Sequence, residues 1–205
     1  MNNSISLNEL CIHQVCIWKQ SNFRESLDFM ARNGVVNTAL WKPLLDSVGV
    51  KQAKKNLKDS GIEAISICPL VLFEPSGEKD NVYKTKNNKK FLEEAAELED
   101  KSIVVITGGL PPKNKDIYGH RQKVLEELVK LIEQAEVTGV KLSLEPLHPM
   151  VCGNRSVISN LCEAIDILDK LDRDDILGIT VETYALWLDS KLKEEIKRAG
   201  SRLLN

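Results

Sequence analysis

The stretch Gly139-Val140-Lys141-Leu142-Ser143-Leu144-Glu145 decides how this chain is read. A glycine placed to end a helix precedes a short run of branched and apolar residues, and the run closes on a carboxylate. Upstream, residues 121–137 set Val124, Leu125, Leu128, Leu131, Ile132 and Ala135 at helical spacing, and residues 157–171 repeat that spacing downstream. The same passage recurs outward in both directions. Apolar runs at 10–13, 35–40, 62–68, 103–107 and 176–182 read as further buried strands, and Gly34 and Gly61 stand before two of them. Helical patterns fill 22–33, with Phe23, Leu27, Met30 and Ala31, and 87–99, with Phe91, Leu92, Ala95, Ala96 and Leu98.

Strands alternating with helices over short links predict parallel strands joined by right-handed crossovers. Six such units are legible, and Arg202-Leu203-Leu204-Asn205 falls where a seventh strand would begin. A doubly wound sheet and a (β/α) barrel both fit the alternation, and a complete barrel needs about 250 residues in eight units. Residues 1–205 are expected to form one domain. The stretch 69–88, with Pro75, Ser76 and Gly77, is the longest irregular one and follows a strand end, so it reads as a surface loop or a lid.

Composition narrows the function. The 205 residues carry 28 basic and 30 acidic side chains, a formal charge of -2, which argues against a protein built to grip phosphate backbones. Hydrophobic residues at 42% suffice for a sizeable core. The N-terminus lacks the basic and apolar parts of a signal peptide, and no stretch reaches the roughly 20 apolar residues of a membrane span, so the chain reads as soluble and cytoplasmic. Five scattered cysteines, Cys11, Cys16, Cys68, Cys152 and Cys162, form no C-x-x-C pair and read as small hydrophobes in a reducing compartment.

In either architecture, active sites lie at the C-terminal ends of strands. The fifth strand ends in Glu145-Pro146-Leu147-His148-Pro149 and the sixth in Glu182-Thr183-Tyr184. Two carboxylates converging on one mouth suit Mg²⁺ or Mn²⁺, with the histidine widening the choice to Zn²⁺ or Co²⁺; the plainer reading is that they cap loops or pair with lysines. Trp18, Trp41 and Trp187 fall at or past strand ends, placed to stack on a sugar face or to pack. Thr107-Gly108-Gly109 offers backbone amides to an anion or makes a tight turn, with no G-x-G-x-x-G fingerprint. His13 and His120 read as structural or solvated, and the four lysines of 84–90 as a solvated edge.

Two motifs then carry a resemblance. Leu144-Glu145-Pro146-Leu147-His148-Pro149-Met150 and Thr183-Tyr184-Ala185-Leu186-Trp187-Leu188-Asp189 together resemble the sugar phosphate isomerase/epimerase family, a branch of the xylose-isomerase-like TIM barrels that also include endonuclease-IV-type enzymes. Ser6-Leu7-Asn8, Leu40-Trp41-Lys42, Thr107-Gly108-Gly109-Leu110 and residues 196–202 add matches in order, so the resemblance runs nearly end to end. It implies a TIM (β/α)8-type barrel reduced here to about six units, lacking the last two strands. It also implies a divalent metal, Mn, Mg, Co or Zn, with Glu145 as ligand and base and Glu182 in the place of an aspartate ligand.

Under the resemblance, His148, Trp41 and Trp187 contact the substrate. The family motif D-x-Y-H-x-W-W-D-P is broken at Ala185, Leu188 and Ser190, and an arginine-glycine turn after the third strand is replaced by Cys68-Pro69-Leu70. The implied function is a sugar or sugar-phosphate isomerase or epimerase, moving a proton next to a carbonyl with metal assistance. With ligands and the substrate-contacting histidine lost, activity is expected to be weak or absent, and an ion held by two carboxylates is expected to be mostly water-ligated and weakly bound, or lost. A degenerate binding or assembly module is the alternative. An endonuclease-IV-type nuclease is disfavoured, because three histidines cannot build a histidine-rich zinc cluster. The expected partner is a small sugar or sugar phosphate, not nucleic acid or membrane. Open edges on the first and sixth strands, and an exposed apolar interior, predict a homo-oligomer joined through those edges.

Overall fold

A computed structural model of the chain describes residues 6–73, 87–99 and 101–205. Pro75, Ser76, Gly77 and Lys84, which belong to the expected lid and lysine run, lie outside the described residues. Six strands form one sheet: β1 (Cys11–His13), β2 (Asn37–Trp41), β3 (Glu63–Val71), β4 (Ser102–Ile106), β5 (Lys141–Leu144) and β6 (Leu177–Ile179). Eight helices accompany them among the described residues: α1 (Phe23–Arg32), α2 (Lys42–Val48), α3 (Val50–Ser60), α4 (Asn88–Glu97), α5 (Ile117–Thr138), α6 (Leu161–Leu171), α7 (Thr183–Leu186) and α8 (Leu192–Ala199).

Every strand pairs in parallel with its successor, in the order β1-β2-β3-β4-β5-β6. A doubly wound sheet reverses its strand order at a switch point; this order never reverses, so the sheet is a wall of a barrel. All strand C-termini therefore gather at one rim.

Local chemistry sets the element ends. The Asn22 carboxamide accepts the Glu25 N–H at 3.0 Å while Glu25 Oε2 accepts the Asn22 N–H at 3.0 Å, a reciprocal cap that starts α1. Asn87, Asp116 and Asn160 cap α4, α5 and α6 in the same way, each accepting an amide three residues on. Gly61 and Gly139 end α3 and α5 in the left-handed conformation and release the chain into β3 and β5. α1, α4, α5 and α6 fall on the four stretches whose spacing predicts helices. The helical pair α2 and α3 follows a weaker pattern, because Gly49 divides it and α3 buries only Ala53, Asn56 and Leu57.

Strand alternation splits the burial between two faces. Leu40, Ile67, Ile103, Val105, Leu142, Leu144, Leu177 and Ile179 join the helices in the main apolar cluster, with Phe23, Leu27, Phe91, Leu128 and Leu161. The alternate residues Ala39, Trp41, Ser66, Ser102, Val104, Ile106 and Ser143 face the inside of the curled sheet and are buried as well. The expected exposed interior is thus corrected: its side chains, a mix of apolar and hydroxylic ones, close on one another. Ser143 and Thr180 meet hydroxyl to hydroxyl at 2.6 Å, and the Asn205 carboxamide donates to Ser102 Oγ at 3.0 Å across the inside.

The sixth strand is not an open edge either. Leu203 bridges Ile179 in parallel, Leu204 N–H donates to Ile179 O at 3.0 Å and Val181 N–H to Asn205 O at 3.0 Å. The predicted start of a seventh strand occupies that edge. Gly178 makes the approach fit, since a Cβ there would meet Arg202 O and the Leu204 side chain at 2.5 Å. Among the described residues, no helix is long and apolar enough to cross a membrane.

Candidate functional site

The rim formed by the strand C-termini carries most of the polar residues singled out in the sequence. Glu145 extends β5 by one rung, its N–H donating to Val105 O at 2.9 Å, and its residue is only 9% exposed. Burial, reinforced by the neighbouring Glu182 carboxylate and opposed by Arg155, pushes the Glu145 carboxyl up to about 7. A carboxyl in that position exchanges its proton near neutrality, which is what a general acid-base group needs.

Glu182 is held differently. It precedes α7, and its long side chain curls back so that Oε1 accepts the Tyr184 N–H at 3.0 Å and Oε2 accepts the Ala185 N–H at 2.8 Å. Both carboxylate oxygens therefore already serve as a helix cap. The capped turn carries Tyr184, whose ring stacks on the His148 ring with centroids 5.3 Å apart and planes 29° from parallel. His148 Nδ1 accepts the Met150 N–H at 3.1 Å; in the neutral ring this puts the proton on Nε2, free to be donated to a hydroxyl oxygen.

The tryptophans separate. Trp41 is 4% exposed and lies under Trp18, which is 42% exposed, with the ring centroids 4.8 Å apart. The ring open to a ligand on that side is therefore Trp18. Trp187, beyond α7, is 65% exposed on the outer rim, with Tyr184 and Leu188 exposed nearby. Glu145, His148, Glu182 and Tyr184 thus share one side of the mouth, while Trp18 and Trp41 stand over the ends of β1 and β2.

Two residues in the mouth were not picked out as functional by the sequence reading. Cys68, in the second half of β3, is held well above the ordinary thiol range by burial and by the Glu145 carboxylate, with Arg155 opposing. Arg155 sits on the loop after β5, and its positive charge is felt by both groups. No periodicity marks a loop arginine; the signal available was its place ten residues after a strand-ending glutamate.

The Gly108-Gly109 pair positions that loop. A Cβ on Gly109 would meet Asn154 O at 1.8 Å, and one on Gly108 would meet Phe73 O at 2.0 Å. Leu110 N–H donates to Gly153 O at 2.8 Å, and Thr107 Oγ1 meets Ser156 Oγ at 3.0 Å. The glycines are therefore points of contact between the backbones of neighbouring loops rather than an anion cradle. His120, on the first turn of α5, packs against Phe73 with ring centroids 4.6 Å apart. It is buried with neither ring nitrogen partnered.

The donor set can be compared with the divalent metal that the resemblance implies. Hard cations take six or more oxygens; Ca²⁺ draws most of them from protein, whereas Mg²⁺ keeps several waters and needs one or two carboxylates free to face it. Among the described residues no group of three or more His, Cys, Asp or Glu side chains gathers, and both Glu182 oxygens are turned toward amides of their own helix. The described residues do not fit a resident divalent metal.

The fold has clear relatives among solved structures. Protein SMc04130 from Sinorhizobium meliloti 1021 is 28% identical, superposes with a TM-score of 0.87, and is covered over 72% of its length by 97% of this chain. IolI, solved with a bound zinc atom, is 18% identical with a TM-score of 0.74, with 95% of this chain covering 70% of it. The 3-keto-D-glucoside 4-epimerase of E. coli is 21% identical with a TM-score of 0.70, with 89% of this chain covering 72% of it. Among curated proteins none matches. The family model of the xylose isomerase-like TIM barrel matches residues 22–205, and with strands in unbroken barrel order the chain belongs to that family.

Proposed function

We propose that this chain is a sugar isomerase/epimerase-type protein whose mouth exchanges a proton at a carbon next to a carbonyl. The observation that carries the reading is Glu145, a nearly buried carboxyl at the end of β5 whose proton is held near neutrality. In the neutral-to-basic range the carboxylate removes the proton from the carbon and then returns it. His148 Nε2–H donates to a substrate hydroxyl and fixes the sugar's orientation, and the Arg155 charge tempers the negative charge that develops in the mouth. Trp18 offers its open ring to the apolar face of the sugar. The epimerase named among the structural relatives supports a sugar as the substrate class.

Turnover is expected to be slow. Epimerisation calls for a second acid-base group on the opposite face, and the other carboxylate of the mouth, Glu182, is engaged as a cap. The same engagement favours a second reading, in which the chain binds a sugar without transforming it. The reading takes the chain as one domain, with self-association through the outer edge of β1, for which sedimentation at increasing concentration is the check.

Proton exchange in D₂O separates the two readings. Ketoses and ketose phosphates incubated with the protein should lose the signal of the hydrogen next to the carbonyl, and Glu145→Gln should slow that loss by about 100-fold or more. Exchange that persists in Glu145→Gln removes Glu145 from the chemistry. Ketose binding without any exchange establishes the second reading.

A further inference from the structure

We infer that Glu182 is a positioning residue, which clamps the first turn of α7 and through Tyr184 fixes the His148 ring, rather than a metal ligand. Three contacts in series carry the inference. Glu182 Oε1 and Oε2 each accept one amide of that turn, at 3.0 Å from Tyr184 and 2.8 Å from Ala185. Tyr184 is thereby set with its ring against His148, 5.3 Å between centroids. His148 is in turn fixed through Nδ1 by the Met150 amide at 3.1 Å. The turn has no other side-chain cap, and Tyr184 is 69% exposed, so packing alone does not hold its ring in place.

Each Glu182 oxygen keeps a second lone pair, but a cation that pulls the group away from its amides breaks these charge-assisted bonds. Coordination that turns Glu182 off its amides would release α7 and the Tyr184 ring together. Metal binding and the ordering of His148 are thus coupled through one carboxylate. This holds whether or not the mouth exchanges protons on sugars, so proton-exchange data do not decide it.

The experiment uses the full chain and two readouts, with Glu182→Gln and Glu182→Ala as variants. The first is calorimetric titration with Mn²⁺ alone. The expected result is no saturable heat at micromolar concentrations for the wild type or either variant. Stoichiometric micromolar binding that Glu182→Gln abolishes would show coordination and overturn the inference.

The second readout is the proton spectrum of the three imidazoles, with His148 assigned by its disappearance in His148→Asn. The Tyr184 ring displaces the His148 ring signals; Glu182→Ala should return them toward free imidazole positions, and Glu182→Gln, which keeps a capping oxygen, should largely preserve the displacement. His148 signals left in place in a folded Glu182→Ala protein would equally overturn the inference. Should Glu182→Ala not fold, Tyr184→Leu replaces it, and an unmoved His148 signal there would show that the stacked pair does not form.

Discussion

Trp18 covers Trp41: their ring centroids are 4.8 Å apart and their planes inclined by 52°. The two side chains therefore differ in kind: one is buried and the other open at the mouth. Trp41 fills the inside of the mouth beneath its partner, with its amide donating to the buried Gln14 Oε1 at 3.1 Å. Trp41→Ala should cost roughly 3–5 kcal/mol of stability, the usual range for removing a large buried aromatic. Trp18→Ala should cost about 1 kcal/mol and should weaken ketose binding instead. Urea denaturation with ketose-dependent fluorescence resolves the pair; equal stability losses would contradict this division.

Gly109 leaves no room for a side chain. An alanine there would place its Cβ 1.8 Å from Asn154 O and would push the loop bearing Arg155 away from the mouth. Gly109→Ala should destabilise by about 2 kcal/mol or more, and proteolysis should then reach residues 149–156 more readily. Gly139→Ala is the reference, since a Cβ at that site meets nothing within 4 Å and pays only the left-handed backbone penalty of roughly 1 kcal/mol. Matching losses in the two variants would dispose of the loop-contact account.

Stability should fall as the solution is acidified below about pH 6.5, the ordinary imidazole value. His13 is pushed down to about 4 by burial, and its Nδ1 accepts the Val15 N–H at 3.0 Å, which requires an unprotonated nitrogen. Between those values the unfolded chain takes up a proton that the folded chain refuses, so the stability present above 6.5 is lost progressively toward 4. His13 accounts for at most about 3 kcal/mol of this. His120, also lowered by burial, acts in the same direction. Urea melts at pH 7.5 and 4.5 should differ less in His13→Asn, which keeps a capping oxygen, and in His120→Leu, which removes two unpartnered buried nitrogens. An undiminished pH slope in both variants would locate the acid sensitivity elsewhere.

The strands were readable because burial on both faces writes apolar runs directly into the sequence. Residues 62–68 anticipated β3, although the strand continues through Pro69 to Val71, a stretch that proline made look like a loop. Residues 157 and 158 were read as helix because Val157 and Ile158 are apolar, yet both are buried in the loop before α6. Glu145 was legible as a carboxylate ending an apolar run. The role of Glu182 was not, since nothing in the order of residues distinguishes a side chain that points into the mouth from one that turns back on its own helix. Trp41 and Trp18 show the same limit: one ends β2 and the other follows β1, and only the packing of the loop after β1 over β2 decides which ring is exposed.

The glycine contacts bear on how this chain can diverge. Barrels of this kind acquire new chemistries by changing the lengths and sequences of the loops at the strand C-termini. Here the segment after β3 touches Gly108 and the loop after β5 touches Gly109, so three successive loops rest on one another through main-chain atoms. A side chain at either glycine displaces the neighbouring segment. Sequence change is therefore freer in the loops after β1 and β6, where Trp18 and Trp187 stand exposed.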